Sequence, residues 1–240
     1  VEGEAIASSK NGKFIGHHIM VPKQGIAIHI NAFNFPIWGM LEKIAVNLLA
    51  GVPALVKPAT VSSYVTEAIF RDIIASGILP VGAVQLLVGS AHGILDHVQS
   101  QDVVTFTGSA STGQQLKGHP RIISEAVPFN LEADSLNCSI LGEDAKPGTE
   151  EFDLFIKEVR KEMTLKCGQR CTGIRRAIVP AHLLEDVQIA LSKALAQTTI
   201  GDPQVEGVRM GALAGKTQVA EVRSQVEKLL KETNMVYGNL

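Results

Sequence analysis

The residue best suited to covalent chemistry is Cys171, in the stretch Gly168-Gln169-Arg170-Cys171-Thr172-Gly173. A cysteine acts as a nucleophile when its thiolate is accessible and favoured, often by backbone N–H groups or by the start of a helix. The glycines on either side permit an exposed turn of this kind. A buried cysteine that serves only as a small apolar side chain fits the same spacing, so this stretch alone leaves two interpretations open.

The other two cysteines, Cys138 and Cys167, do not suggest a disulfide framework. Three unevenly spaced cysteines in 240 residues are too few for one, and a reducing cytosol is the expected location. Cys167 and Cys171 lack a second pair of ligands and a nearby histidine, so we expect no metal site. Cys167 is predicted to be structural.

Two further side chains could serve a reaction at a thiol. Asn34 directly follows an apolar run, and its amide could donate a hydrogen bond to a developing oxyanion. The alternative is an ordinary Asx turn before Pro36. Glu132 has apolar neighbours and could act as a base toward water, although a structural hydrogen-bonding role fits equally well.

Two stretches could bind a nucleotide. Lys57 ends an apolar run and precedes a proline, which favours extended backbone, so its ammonium could meet ribose or phosphate oxygens or could simply be solvated. Residues 108–113, with Gly108 and Ser109 at their start, follow another apolar run and begin a helical pattern, where N–H groups could receive a pyrophosphate. Their spacing is not G-x-G-x-x-G, and Gly-Ser turns commonly begin helices.

The elements around these residues alternate between strand and helix. Apolar runs typical of buried parallel strands are found at residues 25–30, 54–56, 84–88 and 103–106. Helical spacing is found over residues 37–49, 60–76, 91–99 and 111–117. This alternation predicts an α/β fold with a doubly wound, Rossmann-like, mostly parallel sheet. Such sheets bind ligands at the carboxyl ends of their strands, where Asn34, Lys57 and Gly108 fall.

We expect three parts along the chain. Residues 1–24, with a turn at 10–13, are predicted to form an edge or oligomerisation arm. Residues 25–131 are predicted to be a dinucleotide-binding domain, and residues 132–240 part of a second α/β catalytic domain. In that last part, helical patterns over 152–163, 182–197 and 218–232 and a strand at 177–179 are too few to cover a core. The chain begins without methionine, and we expect it to be a truncated piece of a longer protein.

The composition excludes several kinds of partner. The formal net charge is -2 and no long run of one sign occurs, so nucleic acid is not expected. The longest apolar stretches are shorter than the roughly 18 residues that a membrane span needs. No secretory signal pattern is seen at the start, and a cytoplasmic protein is expected.

Five motifs, taken together and in order, resemble those of the aldehyde dehydrogenase superfamily. They are Phe33-Asn34-Phe35-Pro36, Val56-Lys57-Pro58-Ala59, Phe106-Thr107-Gly108-Ser109, Gly168-Gln169-Arg170-Cys171, and Gly201-Asp202-Pro203 with Met210-Gly211-Ala212-Leu213. Residues 132–137, together with residues 30–33, are similar to the dehydrogenases of aromatic breakdown. Those include the dehydrogenase domain of the bifunctional ring-opening enzyme of phenylacetate degradation and the related semialdehyde dehydrogenase of aerobic benzoate degradation.

The resemblance implies a role for each candidate. Cys171 attacks an aldehyde, Asn34 and the Cys171 N–H hold the thiohemiacetal oxygen, hydride passes to a nicotinamide, and Glu132 activates water to hydrolyse the thioester. Where the superfamily has Glu-Leu-Gly-Gly, this chain has Asn130-Leu131-Glu132-Ala133, so Glu132 falls two residues after the usual base.

The resemblance also bears on the cofactor. NAD-preferring members carry a glutamate directly after Lys-Pro-Ala, and this chain has the uncharged Thr60 there. NADP is therefore the expected cofactor, with Lys57 near its phosphate, and NAD is the alternative. Gly108, Ser109, Asn31 and Phe33 are the remaining expected cofactor contacts.

The resulting expectation is an NADP-dependent homo-oligomer that oxidises a CoA-linked semialdehyde to an acid. The family's later cofactor-positioning residues have no counterpart in these 240 residues, which we expect to be inactive on their own. One alternative is an acylating dehydrogenase that passes the thioester to CoA, and another is a non-catalytic nucleotide-binding member. Whether a hydratase domain is fused in the full-length protein is left open.

Overall fold

The computed structural model describes residues 3–91 and 93–239, which divide into two compact units, Val1–Glu132 and Ala133–Leu240. Parts of the predicted arm and of the predicted helix over residues 91–99 lie outside the described residues. The first unit begins with an antiparallel hairpin of β1 (Glu4–Ala7) and β2 (Ile15–His18). This confirms the predicted turn, and a role of the hairpin in oligomerisation stays a prediction.

The centre of the first unit is a five-stranded sheet. Its strands are β3 (Ala27–Ile30), β4 (Ala54–Lys57), β5 (Val84–Leu86), β6 (Val103–Gly108) and β7 (Phe129–Ala133). Their order is β5-β4-β3-β6-β7, and the pairs β3–β4, β4–β5 and β3–β6 are parallel. The predicted mostly parallel sheet is confirmed.

Three helices of at least two turns cross between these strands or follow them, α1 (Trp38–Leu49), α2 (Ser63–Ala75) and α3 (Ala110–Lys117). A short helix, α4 (Pro120–Ser124), has proline in its first turn and the His119 side chain as its N-cap. Apolar side chains of the strands and helices form one buried cluster that includes Ile28 and Val104, and a second that includes Met40 and Val56. The central strand β3 is consequently buried along its whole length.

The predicted helix over residues 91–99 is wrong. The described residues of this stretch contain a single 3₁₀ turn, Ile94–His97, which Gly93 precedes in the left-handed conformation with φ 81°. The buried Asp102 carboxylate accepts hydrogen bonds from the N–H groups of Gln99 and Ile26, each at 2.8 Å. These bonds favour a turn after residue 98 and join the start of β6 to the residue before β3.

A buried polar chain links β3 to its neighbours. His29 is 2% exposed, and its ring nitrogens lie 2.8 Å from Thr105 Oγ1 and 2.7 Å from Asn47 Oδ1. The Asn47 amide in turn donates to the Val52 carbonyl at 2.6 Å. Burial lowers the pKa of His29, which is consistent with a neutral ring that donates at one nitrogen and accepts at the other. The histidine is therefore a structural link between the sheet and α1.

The second unit contains a parallel βαβ element. β8 (Cys138–Ile140) pairs with β9 (Arg176–Ile178), and α5 (Glu150–Thr164) connects them. The Thr149 hydroxyl caps α5, and the buried residues Phe152, Phe155, Ile156 and Val159 recur along one face at helical spacing. That face packs against Leu183 and Val187, the latter on α6 (Leu184–Ala196).

The last helix, α7 (Lys216–Leu229), has no buried residue. Among the described residues, no helix combines the length and the apolar composition that crossing a bilayer requires.

Gly25→Ala tests how closely the backbone just before β3 packs against the backbone of Gln101. Gly25 has φ 91°, and a Cβ there would lie 2.5 Å from the Gln101 carbonyl oxygen. We expect a loss of about 2 kcal/mol or more, because the left-handed cost and a backbone clash add. Gly77→Ala is the matched control, since Gly77 has φ 63° with open space around it. Equal thermal unfolding midpoints for the two variants would contradict the predicted clash.

Candidate active site

The carboxyl ends of three strands meet at one edge of the first unit. Ile30, the last residue of β3, is in register with Lys57 at the end of β4 and with Phe106 in β6. The Asn31 N–H donates to the Lys57 carbonyl at 3.0 Å. The chain leaves β3 toward β4 on one side and returns through β6 on the other, so the switch point lies between β3 and β6. Ligands of open parallel sheets bind at such a point.

Lys43 of α1 bridges this switch point and is not among the site residues predicted from the sequence. Its ammonium donates to Asn31 Oδ1 at 2.8 Å and to Thr107 Oγ1 at 2.7 Å, which joins the ends of β3 and β6. Burial lowers the pKa of Lys43, and the carboxylates of Glu42 and Glu132 act in the opposite direction. The lysine therefore places a partly buried positive charge at the edge where a ligand is expected.

A sequence signal for Lys43 exists. The buried residues of α1 are Met40, Ile44 and Asn47, and Lys43 lies on the same stripe, three residues after Met40 and four before Asn47. A lysine on the buried stripe of a helix requires an acceptor, because an unpaired ammonium is costly to bury. The pattern indicates a polar partner, although it does not indicate which one.

Asn31, an expected cofactor contact, has an unused donor. Its side chain is 4% exposed, and its Nδ2 atom is buried without a hydrogen-bond partner among the described residues. A buried amide donor left unpaired costs roughly 1–3 kcal/mol. An acceptor oxygen supplied by a ligand would remove this cost, so Asn31 fits a binding role.

Gly108 and Ser109 form the turn from β6 into α3. A Cβ at Gly108 would lie 2.5 Å from the ring of Phe106, so the backbone there is packed directly against that side chain. The Ser109 hydroxyl caps α3 by accepting from the Thr112 N–H at 3.3 Å. This close-packed turn leads into a helix N-terminus, which favours phosphate oxygens.

Lys57 and Thr60 lie three residues apart at the end of β4. Lys57 is half-buried, and this burial lowers its pKa because an ammonium is less stable away from water. Thr60 is exposed at the start of a 3₁₀ turn, Thr60–Ser62. An anionic group beside Lys57 would favour its charged form.

Phe33 and Asn34 are half-buried in the bend between β3 and α1. The bend continues directly into α1, and the Gly39 N–H in the first turn of α1 donates to the Phe35 carbonyl of the bend at 2.8 Å. The roles of Phe33 at the cofactor and of Asn34 at the oxyanion stay predictions.

Glu132 is exposed near the end of β7, rather than enclosed by the apolar residues beside it in the sequence. Exposure alternates along this strand, so Asn130 and Glu132 are both exposed while Phe129 and Leu131 are half-buried. Asn130 and Glu132 therefore lie on the same face of the strand. The resemblance places the usual base at residue 130. A carboxylate at residue 132 instead lies on the same face of β7 as one at residue 130 would.

Cys171 lies in the second unit, in the connection from α5 to β9. Its side chain is exposed, so it is not the buried small residue that was the alternative. Its carbonyl oxygen accepts from the Ser135 hydroxyl and from Asn137 Nδ2, the latter at 2.6 Å. Within the described residues, no protein atom accepts a hydrogen bond from the Cys171 N–H. This N–H is available to a ligand oxygen.

The turn before Cys171 is held by the segment that contains Met210–Leu213. Lys166, Cys167 and Gly168 are all left-handed, with φ of 51°, 56° and 70°. The Cys167 Sγ donates to the carbonyls of Gly211 and Ala212 at 3.0 and 3.2 Å, and burial raises the pKa of this thiol. These contacts agree with the structural role predicted for Cys167.

Each unit therefore contains some of the predicted site residues. The first unit brings together Asn31, Lys57 and Gly108 at one sheet edge, and the second unit contains Cys171. Among residues 3–91 and 93–239, no group of three or more histidine, cysteine or acidic side chains could hold a metal ion.

Comparison with known proteins identifies the family. The model of the aldehyde dehydrogenase family matches residues 1–239. The 3,4-dehydroadipyl-CoA semialdehyde dehydrogenase of Aromatoleum evansii is 46% identical over 237 residues, which are 99% of this chain and 46% of that protein. Geranial dehydrogenase of Castellaniella defragrans is 29% identical over 222 residues, 89% of this chain and 44% of the relative. The chain spans about half the length of the curated relatives that it matches.

Solved structures share the fold. Succinic semialdehyde dehydrogenase from Streptococcus pyogenes, in complex with NADP⁺, gives a TM-score of 0.79 at 21% identity and covers 90% of this chain and 47% of its own. Betaine aldehyde dehydrogenase from Staphylococcus aureus, in complex with NAD⁺, gives a TM-score of 0.78 at 20% identity. The match covers 95% of this chain and 44% of that protein's chain. The resemblance expected from the five motifs is confirmed, and the chain belongs to the aldehyde dehydrogenase family.

Proposed function

We propose that the protein oxidises an aldehyde to a carboxylic acid through a covalent bond to Cys171. The observation that carries this proposal is the geometry of Cys171: an exposed thiol, a carbonyl oxygen held by two side chains, and an N–H with no protein acceptor among the described residues. A nucleophile next to an unused backbone donor is the arrangement that addition to a carbonyl requires.

The first step is addition. The Cys171 sulfur forms a bond to the aldehyde carbon, and the π electrons of the carbonyl move to its oxygen. The Cys171 N–H and the Asn34 amide are the proposed donors to that oxygen. Loss of hydride from the thiohemiacetal carbon leaves a thioester on Cys171. Stabilisation of the developing negative charge by such donors is commonly the largest contribution to catalysis of acyl chemistry.

Glu132 is the proposed base for the second step. Its exposed carboxylate can take a proton from a water molecule as the water attacks the thioester, which releases the acid and restores the thiol. Glu132 precedes Ser135 by only three residues, and Ser135 binds the Cys171 carbonyl. Only two residues therefore separate the proposed base, along the chain, from a residue that contacts the proposed nucleophile.

The carboxyl edge of the first unit fits a nicotinamide dinucleotide. Bound there, the nicotinamide would accept the hydride. The residues that would hold the cofactor are Asn31, Phe33, Lys57, Thr60 and the Gly108-Ser109 turn. Asn31 contributes an Nδ2 donor that has no partner in the part of the chain that the structure describes. We propose NADP in preference to NAD, because Thr60 carries no charge and the partly desolvated Lys57 gains from an anionic phosphate.

The proposed substrate is a CoA-linked semialdehyde from aromatic breakdown. Support comes from the relative that is 46% identical and is named a 3,4-dehydroadipyl-CoA semialdehyde dehydrogenase. We further propose that the protein is cytosolic, since its cysteines are free thiols, and that it forms a homo-oligomer through the β1–β2 hairpin. Phe14 and Ile15 there are 70% and 66% exposed.

Cys171→Ser in the full-length protein tests the nucleophile. We expect kcat to fall roughly a thousandfold or more, because a hydroxyl is a much weaker nucleophile than a thiolate. Cys138→Ser, at a second exposed cysteine, is the control and should retain activity. In peptide mapping after iodoacetamide treatment, Cys167 should react at higher pH than free N-acetylcysteine, since burial raises its pKa and lowers its thiolate fraction at a given pH. Full activity of Cys171→Ser would refute the role.

Thr60→Glu tests the choice of cofactor. A carboxylate at residue 60 would face the 2′-phosphate of NADP, and we expect the ratio of kcat/KM for NADP over NAD to fall about 10- to 100-fold. Thr60→Gln adds the same bulk without charge and should change the ratio much less. A wild-type enzyme that prefers NAD would count against the proposal directly.

Glu132→Gln tests the base. Rapid-mixing measurements should show an unchanged first turnover of NADPH formation, followed by steady-state turnover slower by about 10²- to 10⁴-fold, because only the hydrolytic step needs the carboxylate. Glu143→Gln removes an exposed carboxylate of the second unit and serves as the control. Unimpaired turnover that depends on added CoA would favour an acylating dehydrogenase. An absent first turnover in the wild type would favour a non-catalytic nucleotide-binding protein.

A further inference from the structure

The backbone on both sides of Cys171 is held by side chains that have no role in the reaction as described. We propose that Arg175, Asn137 and Ser135 are positioning residues, which together fix the Cys171 N–H so that it faces the oxygen that becomes negative when the thiolate attacks. This inference rests on the proposed function and extends it to residues that do not touch the aldehyde.

On the C-terminal side, the Cys171 carbonyl oxygen is fully used. It accepts from the Ser135 hydroxyl and from Asn137 Nδ2, and a carbonyl oxygen offers two lone pairs. Asn137 Nδ2 also lies 3.2 Å from the Gly173 carbonyl oxygen. The peptide unit that follows Cys171 therefore has a fixed orientation, and its oxygen does not compete with the substrate oxygen for donors.

On the N-terminal side, Arg175 holds the peptide unit that contains the Cys171 N–H. Its Nη2 atom donates to the carbonyl oxygens of Arg170 and Gly168, each at 2.8 Å. The carbonyl of Arg170 and the N–H of Cys171 belong to one planar trans unit, so they point in opposite directions. Holding the oxygen at the guanidinium turns the N–H away from it. A charged donor on that oxygen also polarises the unit and strengthens its N–H as a donor.

The loop leaves a place for this guanidinium. A Cβ added at Gly168 or at Gly173 would lie 3.5 Å from Arg175 Nη1, so both α-carbons border the guanidinium group. Gly168 is also left-handed, with φ 70°. Gly173 is buried, and its N–H lies 3.4 Å from the Arg170 carbonyl oxygen. The two glycines that bracket the cysteine thus allow the backbone to wrap around Arg175.

The sheet explains why these residues meet. β8 and β9 are parallel and begin in register at Cys138 and Arg176, so the residues before each strand lie side by side. The N–H groups of Arg175 and Arg176 both donate to the Asn137 carbonyl, at 2.9 and 3.2 Å. The positioning residues are therefore anchored to regular structure rather than to one another alone.

The test separates oxyanion stabilisation from the reactivity of the thiol. In the full-length protein, Arg175→Met, Asn137→Ala and Ser135→Ala are compared with wild type and with Arg223→Met, an exposed arginine of α7. Rapid mixing with propanal as probe aldehyde gives the rate of first-turnover NADPH formation, which requires the oxyanion. The pH profile of Cys171 alkylation by iodoacetamide serves as the second measurement, because that displacement forms no oxyanion.

We expect Arg175→Met and Asn137→Ala to slow the first turnover by about tenfold or more, below the 10²- to 10³-fold typical of deleting a donor itself. KM and the alkylation profile should change little, and Arg223→Met should match wild type.

An unchanged rate of first turnover overturns the inference, and so does a rate of first turnover that falls in the same proportion as the rate of alkylation. If Arg175→Met and Asn137→Ala do not fold, Ser135→Ala and Arg175→Lys are tested by the same comparison of first-turnover rate with alkylation rate. A wild type that reduces neither NADP nor NAD overturns the proposed function, whereas an active wild type with unaffected variants overturns this inference alone.

Discussion

The hydrogen bonding of β3 to strands on both of its edges is the interaction on which the first unit depends. A strand buried along its length must pair every backbone N–H and C=O group, because water is not available to satisfy them. Parallel pairing with β4 and β6 meets this requirement and brings three strand ends to one edge. Ile30, Lys57 and Phe106 are in register, so the residues that follow them, Asn31, Pro58 and Thr107, lie side by side. Lys43 completes the edge by joining two of the ends through polar side chains.

In the second unit, the candidate site lies at the amino ends of the strands instead of their carboxyl ends. β8 and β9 are also parallel, but the side chains around Cys171 precede the strands instead of following them. Asn137 and Arg175, 38 positions apart in the chain, meet because each lies one residue before a paired strand. The same rule of parallel pairing therefore organises the nucleotide edge in one unit and the cysteine loop in the other.

The sequence was sufficient for β3 to β6 and for three of the four helices predicted between them, whereas β7 was not predicted. Fully buried strands appear as short apolar runs, and Asn34, Lys57 and Gly108 all lie within four residues of the end of such a run. The failure at residues 91–99 has a physical cause, since Ile94, Leu95 and Val98 are spaced as in a helix although Gly93 and the Asp102 carboxylate enforce turns. The spacing of apolar residues indicates which of them are buried, but it does not indicate that a side chain such as Asp102 binds the backbone N–H of a turn.

The candidate site was predictable where it depends on motifs and not where it depends on long-range side-chain contacts. Cys171 was identifiable as a candidate from the glycines around it. Ser135 and Asn137 bind its carbonyl across gaps of 36 and 34 residues, and no periodicity connects them to the cysteine. Arg175 is close in sequence, but its function depends on the direction of two carbonyl groups, which composition and spacing do not encode.

The run from Glu132 to Asn137 has a consequence for how the protein can change. One hexapeptide contains the proposed base and both side chains that hold the carbonyl of the nucleophile. Substitutions within it can be explored one residue at a time, but inserting or deleting a single residue would shift the base and the anchors together. Diversification toward new aldehydes is therefore expected to proceed through loops outside it, and combinatorial libraries should keep its length constant.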